Sequence, residues 1–290
     1  MRTSSLVVAR HLAAVRALLV FTVLLGVGYP LAMVALVQIP GLSSRAEGSL
    51  ISVDGREIGS RLIGQSFTDA DGNPLPGYFQ SRSSAAGDGY DPTATSASNL
   101  GPEDVVDTRD RPSLLTQVCA RSHAIGELEG VDGRRPYCTD DGVGAVLGVY
   151  YSDGLSGDIT RVVSLNQTAG NPFLTAYHGV PVELAAAGED YSGAVVVPIR
   201  GGAPADPVVP ADAVTASASG LDPDISPEYA HLQAPRIARE RGIGVAEVQS
   251  LIKEQTNGRA LGLLGQPGVN VLELNLALDE RYPSQRPSER

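Results

Sequence analysis

Residues 17–37 read ALLVFTVLLGVGYPLAMVALV, and this stretch decides how the rest of the chain is interpreted. It contains no charged residue, and a helix of that length, at about 1.5 Å per residue, crosses about 30 Å of hydrocarbon. A cleaved secretory signal has a shorter apolar core and a small-x-small cleavage site, and residues 38–47 (QIPGLSSRAE) offer no clean site of that kind. We therefore predict a retained, single transmembrane helix over 17–37.

Three residues inside this span are unusual for a plain anchor, namely Gly26, Gly28 and Pro30. Membrane helices tolerate glycine and proline, and small residues let a neighbouring helix approach closely. An anchor needs none of the three, so we predict that the span is also a docking surface.

Charge predicts the orientation of the span. Residues 1–16 carry Arg2, Arg10 and Arg16 and no acid, which predicts a cytoplasmic N-terminus. The part of the chain after the span contains 19 of the 22 basic residues and all 33 acidic ones, which gives it a net charge of −14. This balance excludes binding of nucleic acid or an anionic membrane surface through bulk electrostatics. We predict a plasma-membrane protein, crossing once, whose main domain is exported.

The two cysteines, Cys119 and Cys138, enclose 18 residues on the predicted oxidising side. A disulfide there contributes about 3 kcal/mol to stability through loop-closure entropy. A metal site is the alternative and would recruit His123 with Asp140 or Asp141, but that spacing fits no standard zinc pattern. We therefore predict a disulfide.

The segment nearest the span, 48–65, predicts a β-hairpin that turns at Asp54-Gly55. Residues 67–102 are rich in turn formers and predict ordered loops. Asp69, Asp71 and Asn73 have the oxygen spacing that opens a calcium loop, but the distal Glu is absent and Pro74 interrupts the pattern. We interpret these residues as a solvated turn.

Residues 103–209 predict a mainly β insertion, closed by the disulfide and left through the linker 201–210. Its short apolar runs, bounded by Gly, Pro and Asp, predict strands within 143–151, 159–165, 173–177, 180–184 and 194–199. A short helix is predicted at 113–121, where apolar residues share one helical face.

Residues 210–280 predict two helices and a strand. Ser226-Pro227-Glu228 is typical of a helix start, and the first helix runs to about Arg241, bent at Pro235. A second helix covers about 246–255. Residues 269–278 (VNVLELNLAL) alternate in polarity and predict a strand, and 281–290 predict a disordered tail. The predicted fold is one transmembrane helix plus an exported α/β (α+β) domain with a mainly β insertion.

Motifs for catalysis are missing from the sequence. It contains no G-x-S-x-G, H-E-x-x-H or C-x-x-C pattern. The only lysine, Lys253, follows Ile252, so a phosphate-binding G-K-[ST] loop is not possible. We expect no catalytic residue, metal or cofactor on this chain, and caps or turns at Ser217, Ser219 and Asp222. The alternatives are a membrane-tethered exported enzyme with an unrecognised site, or a free-standing binding domain.

Several short sequence segments, in a fixed order along the chain, resemble those of a known family. They are Gly48-Ser49-Leu50-Ile51, Ile63-Gly64-Gln65, Tyr78-Phe79, Arg82-Ser83-Ser84-Ala85, Ser98-Asn99-Leu100-Gly101-Pro102, residues 214–223 (VTASASGLDP), Ile225-Ser226-Pro227, Gln233 with Pro235-Arg236, and residues 269–279 (VNVLELNLALD). Together with the span, the chain resembles KdpC, the single-span subunit of the Kdp potassium-transporting ATPase, in an actinobacterial-type form with a large insertion. The resemblance covers about 12–103 and 208–280.

The resemblance implies one transmembrane helix, an exported α/β domain and three kinds of partner. These are a channel-like potassium subunit, a P-type ATPase subunit and, in some complexes, a small one-span peptide. ATP, Mg and K⁺ are used by such a complex, and the family is described as a catalytic chaperone that raises the apparent ATP affinity of the ATPase subunit. Because nearly the whole polar part of the chain is predicted to lie outside the cell, away from cytoplasmic ATP, we expect the effect on ATP affinity to act through the span or through assembly. The alternative is an exported domain that caps the channel-like subunit and concentrates cations mildly.

The chain departs from the family pattern in two places. Ser83 stands where the family usually has Pro, and the spacer after Pro102 has about 100 residues instead of a short stretch. We interpret this spacer as a lid on the extracellular face or a docking module for another envelope protein, with a passive elaboration as the alternative. The predicted interface or structural residues are Gly26, Gly28, Pro30, Asn99, Gly101, Pro102, Ser217, Gly220, Asp222, Asn270, Glu273, Asn275 and Asp279.

Overall fold

The computed structural model describes residues 2–96, 100–259 and 261–283. The chain forms two compact units, Met1–Leu62 and Ile63–Arg290. The predicted Asn99 and most of the predicted tail, 284–290, lie outside the described residues.

The smaller unit begins with a long apolar helix. It consists of α1 (Arg2–Val23), a π-helical turn (Leu24–Gly28) and α2 (Tyr29–Val37). Residues Val7–Val37 are long and apolar enough to cross a membrane, and their most apolar window is entirely exposed. The predicted helix over 17–37 is therefore confirmed as a candidate span, with a start well before residue 17.

The π-helical turn lies directly before Pro30. The Tyr29 N–H donates to the Leu24 carbonyl five residues earlier. Proline has no N–H, and its ring crowds the carbonyl four residues before it. A widened turn just ahead of Pro30 relieves that crowding while keeping the main chain hydrogen-bonded.

A short helix and a hairpin complete the smaller unit. Helix α3 (Ser43–Ala46) precedes the antiparallel strands β1 (Leu50–Val53) and β2 (Arg56–Ser60). The turn residues Asp54 and Gly55 have φ values of 51° and 76°, and two successive positive φ angles are what a tight hairpin turn requires. The predicted hairpin and its turn are confirmed.

The larger unit contains one helix and a five-stranded sheet in its first half. The elements are α4 (Leu114–Glu129), β3 (Val146–Tyr151), β4 (Ile159–Ser164), β5 (Ala176–Tyr177), β6 (Val180–Leu184) and β7 (Val195–Pro198). The strand order is β5-β6-β4-β3-β7; β4 and β6 are parallel, and the other pairs are antiparallel. All five strands lie within predicted β segments. Helix α4 begins as predicted, with the Ser113 side chain as its cap, and runs eight residues further.

Both faces of this sheet are covered by apolar side chains. Val146 and Val163 pack on one face, and Leu147, Val149 and Val162 pack on the other. Strands buried on both sides read as continuous apolar runs, which explains why their β character was visible in the sequence.

The second half of the larger unit is mainly helical. The elements are α5 (Ala211–Val214), β8 (Asp224–Ile225), α6 (Pro227–Arg241), α7 (Val245–Gln255), β9 (Thr256–Asn257), β10 (Gly268–Asn270) and α8 (Val271–Arg281). Strands β8, β10 and β9 form a small antiparallel sheet. Helices α6, α7 and α8 surround one apolar core that also contains Phe79. The two predicted helices are confirmed, with Ser226 as the side-chain cap of α6.

The predicted strand over 269–278 is wrong. Only β10 is extended there, and the rest is helix α8. The Asn270 side chain accepts a hydrogen bond from the Glu273 N–H at 3.1 Å and so caps the helix. Val271, Leu274 and Leu278 are buried at helical spacing, so a period near 3.6 overrides the apparent alternation.

Two further predictions concern the disulfide and a turn of the larger unit. Cys119 and Cys138 are joined in a disulfide. The Asp69 carboxylate accepts hydrogen bonds from the Asp71 and Asn73 N–H groups at 3.0 and 2.8 Å, and all three residues are exposed. They form a closed, solvated turn, as predicted.

Candidate functional site

Residues 76–80, which we call the clamped segment, are held by side chains of two helices. Asn275 of α8 accepts from the Phe79 N–H at 2.8 Å and donates to the Phe79 carbonyl at 3.0 Å. Gln233 of α6 does the same for Gln80, at 2.7 and 3.1 Å. Each amide side chain replaces the strand neighbour that the segment lacks. The segment is thereby fixed between α6 and α8.

Arg236 of α6 fixes the other end of the clamped segment. Its guanidinium donates to the Pro76 carbonyl and, at 3.0 Å, to the Tyr78 carbonyl. Its Nε lies 3.0 Å from both carboxylate oxygens of Glu129 at the end of α4, and both side chains are buried. Burial raises the pKa of Glu129, and Arg236 opposes that rise. One buried cation therefore joins α4, α6 and the clamped segment.

Arg241 extends the cluster toward the surface. It donates to the Gly77 carbonyl at 2.8 Å, pairs with Asp279 at 2.8 Å, and lies over the Tyr78 ring at 4.7 Å from its centroid. The Tyr78 hydroxyl also donates to Asp279, at 3.1 Å. Burial, followed by the Asp279 charge, raises the pKa of Tyr78. Tyr78 therefore stays a neutral donor at physiological pH.

A second polar cluster joins residues 81–90 to residues 215–222, and we call it the loop junction. Arg82 pairs with Asp222 at 2.8 Å and donates to the Thr215 carbonyl at 3.0 Å. The Ser84 hydroxyl donates to the Gly220 carbonyl at 2.7 Å. These contacts join two predicted motifs that lie about 130 residues apart in the sequence.

Glycines allow the two loops of the junction to approach closely. Gly220 has φ +75°, and a Cβ atom there would lie 2.4 Å from the Ala86 Cβ. A Cβ on Gly64 would lie 2.4 Å from Cε1 of the Tyr90 ring. The Tyr90 hydroxyl donates to the Arg82 carbonyl at 2.7 Å, and burial raises its pKa to about 12. At these two glycines the loops of the junction pack in direct contact.

The predicted residues thus fall into separate places. Asn275 and Asp279 join the clamp, whereas Ser217, Gly220 and Asp222 lie in the loop junction. The remaining ones are Asn270 and Glu273 at the start of α8, Gly101 and Pro102 in a turn before α4, and Gly26, Gly28 and Pro30 in the apolar helix.

The residues that dominate the clamp were missed as site residues. Arg236, Glu129 and Arg241 carry it, yet Gln233 and Arg236 entered the sequence argument only as parts of a string. One sequence feature could have identified Arg236. It lies between Gln233 and Ile237 on a face of α6 that also contains buried alanines, and a cation on such a face needs a buried partner.

Neither cluster has the composition of a catalytic or metal site. Across 2–96, 100–259 and 261–283, no three His, Cys, Asp or Glu side chains are close enough to hold a metal ion. A cavity of about 520 Å³ beside the disulfide is lined by His123, Asp132 and Arg134, among others. Asp132 pairs with Arg134 at 2.8 Å, whose hydrogen bond lowers the Asp132 pKa to about 2. The polar groups named in the clamp and the junction bond to the main chain and to one another within the larger unit.

An apolar helix able to cross a membrane, followed by a mixed α/β unit, defines the class of single-helix candidate membrane proteins. The comparisons with known proteins identify the family. The family model "KdpC: K+-transporting ATPase, c chain" matches residues 11–136 and 184–280, and the chain belongs to this family.

Relatives match along nearly the whole chain. A potassium-transporting ATPase KdpC subunit of Beijerinckia indica is 37% identical over 270 residues, 93% of each chain. That of Kineococcus radiotolerans is 38% identical, covering 92% of this chain and 91% of its own. That of Mycobacterium tuberculosis is 37% identical, covering 92% and 96%.

The family model leaves a shorter segment unmatched than the sequence predicted as an insertion. Residues 137–183 fall outside it, and the predicted insertion over 103–209 stays a prediction. Helix α4, with Glu129, lies inside the matched part, so the clamp is formed entirely by residues that the family model covers.

Proposed function

We propose that this chain is a non-catalytic subunit of an ATP-driven, high-affinity potassium uptake complex, required for its assembly and stability. Its partners are a channel-like potassium subunit, a P-type ATPase subunit and, where present, a small one-span peptide. Membership of the KdpC family carries this proposal. The use of Arg236, Asn275 and Asp222 in contacts within the chain supports a scaffolding role.

The proposed location is the plasma membrane, with residues 1–16 in the cytoplasm and the larger unit outside the cell. The arginines within residues 1–16, without any acid beside them, support this orientation. The acidity of the larger unit would mildly concentrate cations near the entrance of the channel-like subunit.

We further propose that the chain raises the apparent ATP affinity of the complex through its span or through assembly, without touching ATP. The absence of a G-K-[ST] loop in the sequence supports this view. ATP, Mg and K⁺ are then ligands of the partner subunits, and none binds this chain alone.

Co-purification tests the subunit role. A tag at the C-terminus allows purification in mild detergent from potassium-starved source cells. We expect a P-type ATPase and a channel-like potassium subunit in fixed ratio, and loss of ATPase activity when the chain is deleted. Recovery of the chain alone, or with unrelated envelope proteins, would contradict the proposal.

Exchange of the span tests the route to ATP. Residues 17–37 are replaced by an unrelated apolar sequence of equal length, and the KM of the complex for ATP is compared with wild type and with the deletion. If the span carries the effect, the variant complex assembles and its KM resembles that of the deletion. A wild-type KM in the assembled variant assigns the effect to assembly through the larger unit. Direct photo-crosslinking of ATP to this chain would contradict both routes.

A further inference from the structure

A cavity of about 580 Å³ lies in the smaller unit, just beyond the apolar helix. Its lining includes Gly41, Ser44, Arg45, Ser49, Arg61 and Leu62. Helix α2 ends at Val37, and four residues of chain span at most about 14 Å. Gly41 is therefore tied close to the end of the span. The headgroup layer of a bilayer begins where its hydrocarbon ends and is about 5–8 Å thick on each side.

The walls of this cavity are fastened to one another by hydrogen bonds. The Ser49 N–H donates to the Ser44 carbonyl at 2.7 Å, and the Arg61 N–H donates to the Ser49 carbonyl at 3.0 Å. The Ser60 hydroxyl donates to the Gly48 carbonyl at 2.6 Å. Helix α3 and both ends of the hairpin are thus joined, and the two arginines that line the cavity project from a fixed frame.

Charge at this cavity differs from that of the rest of the chain. The segment 38–62 contains three arginines and three acids, whereas the whole chain has a net charge of −11. Both charged residues that line the cavity are arginines. Among the described residues, Arg45 forms no ion pair with a carboxylate. A guanidinium binds the oxygens of a phosphate in two-pronged fashion, so the cavity has the chemistry of an anion site.

Exposed apolar side chains line the cavity at Leu50 and Leu62, and Ile39 and Leu42 lie next to its Gly41 in the sequence. Ile39, Leu42, Leu50 and Leu62 are between 41% and 60% exposed. Apolar side chains mixed with arginine are typical of surfaces that rest at the boundary between headgroups and acyl chains. A free inorganic anion would not require these apolar neighbours, whereas a lipid would contact both groups at once.

We propose that this cavity binds the phosphodiester of an anionic phospholipid, with the Arg45 and Arg61 guanidinium groups donating to its oxygens. The apolar neighbours contact the upper acyl chain. This site fixes the depth and rotation of the span and is independent of the proposed role in potassium uptake. It also differs from bulk attraction, which the acidity of the chain opposes.

Lipid binding by the full chain in neutral detergent tests the proposal. Native mass spectrometry counts the phosphatidylglycerol molecules retained as that lipid is titrated, with phosphatidylcholine as the neutral comparison. We expect one retained phosphatidylglycerol and a loss of about five-fold in affinity for each of Arg45→Gln and Arg61→Gln, since one basic residue near an anionic surface is worth about 1 kcal/mol. Replacement of both by lysine should restore only part of the binding, because lysine keeps the charge and loses the two-pronged geometry.

Arg56→Gln is the matched control, because Arg56 is an exposed arginine of β2 that does not line the cavity. Equal losses in the control and the cavity variants would overturn the proposal in favour of unspecific charge attraction. Equal retention of phosphatidylcholine, or displacement of the lipid by inorganic phosphate at similar concentration, would overturn it too. If retention becomes independent of both arginines in the complex with partner subunits, the face is a subunit contact and the lipid site is refuted.

Discussion

In the five-stranded sheet, main-chain groups of one strand bond to main-chain groups of the next, and aliphatic side chains such as Leu147 and Val163 fill both faces. In the clamp, the main chain of 76–80 bonds instead to the side chains of Gln233, Arg236 and Asn275. The sheet tolerates exchange of one aliphatic residue for another of similar volume. The clamp requires particular donors and acceptors, because a buried main-chain group without a partner costs about 1–3 kcal/mol.

The same contrast applies to arginines. Arg161 on the sheet pairs with Glu183 and Glu189 at 2.9 and 2.5 Å, with all three side chains at least one-third exposed. Arg236 and Glu129 are 1% and 0% exposed. Ion pairs with similar distances therefore differ greatly in how much the free energy of unfolding falls when the arginine is lost.

The largest effect is expected from Arg236→Met. The change leaves the Glu129 carboxylate buried without its partner and removes the bonds of the guanidinium to the clamped segment, so the free energy of unfolding should fall by about 3–5 kcal/mol. Urea unfolding of the full chain in detergent, followed by tyrosine fluorescence, measures it. Arg161→Met is the control and should cost less than about 1 kcal/mol. Equal losses in the two variants would remove the contrast between the regions.

Removal of the disulfide comes next. Cys119 lies on α4 beside the helical core, and Cys138 lies on the segment that leads into β3. The double change Cys119→Ala with Cys138→Ala should lower the free energy of unfolding by about 3 kcal/mol through a less constrained unfolded chain. Reductant should lower the stability of the wild type to that of the variant and leave the variant unchanged. A variant as stable as the oxidised wild type would show that the crosslink does not stabilise the unit.

Gly220→Ala should have a smaller effect on the loop junction. The added methyl group meets Ala86 and also forces an L-residue to φ +75°, which together should cost about 2 kcal/mol. Gly201→Ala is the matched control, because Gly201 has φ +65° and no atom within 4 Å of its added Cβ. That control isolates the backbone term, about 1 kcal/mol. Identical losses would mean that the junction is looser than the structure indicates.

The smallest effect is a pH dependence in the Arg236→Met variant. Without the guanidinium, burial raises the pKa of Glu129 above its value in the unfolded chain, so the folded variant binds more protons between those two pKa values. Stability then falls as pH rises through that window. The deficit against wild type should be about 1 kcal/mol smaller near pH 5 than near pH 7.5. A deficit independent of pH would show that Glu129 is solvated after the change.

The elements with local determinants could be predicted from the sequence. The Asp54-Gly55 turn, the cap at Ser226 and the apolar runs of the sheet each depend on neighbouring residues. Helix α8 was missed because VLELNLAL satisfies a period of two as well as one near 3.6, and the Asn270 cap decides between them.

The clamp could not be predicted, because Gln233, Arg236 and Asn275 contact residues that lie 107 to 196 positions away in the sequence. The resemblance identified Gln233 and Arg236 only as members of matching sequence segments, and Asn275 also as a predicted structural residue. Their shared role appears only when α6, α8 and the end of α4 are placed together. Side-chain bonds to a distant main chain leave no periodic pattern in the sequence.

The π-helical turn in the apolar helix changes how that helix meets its surroundings. One extra residue in a turn rotates everything after it by about 100° relative to everything before it. A stripe of side chains that faces one neighbour in α1 therefore faces a different direction in α2. The same stripe of side chains thus points in two directions along one helix. The helix can therefore contact one neighbour near its N-terminal end and another near its C-terminal end without tilting.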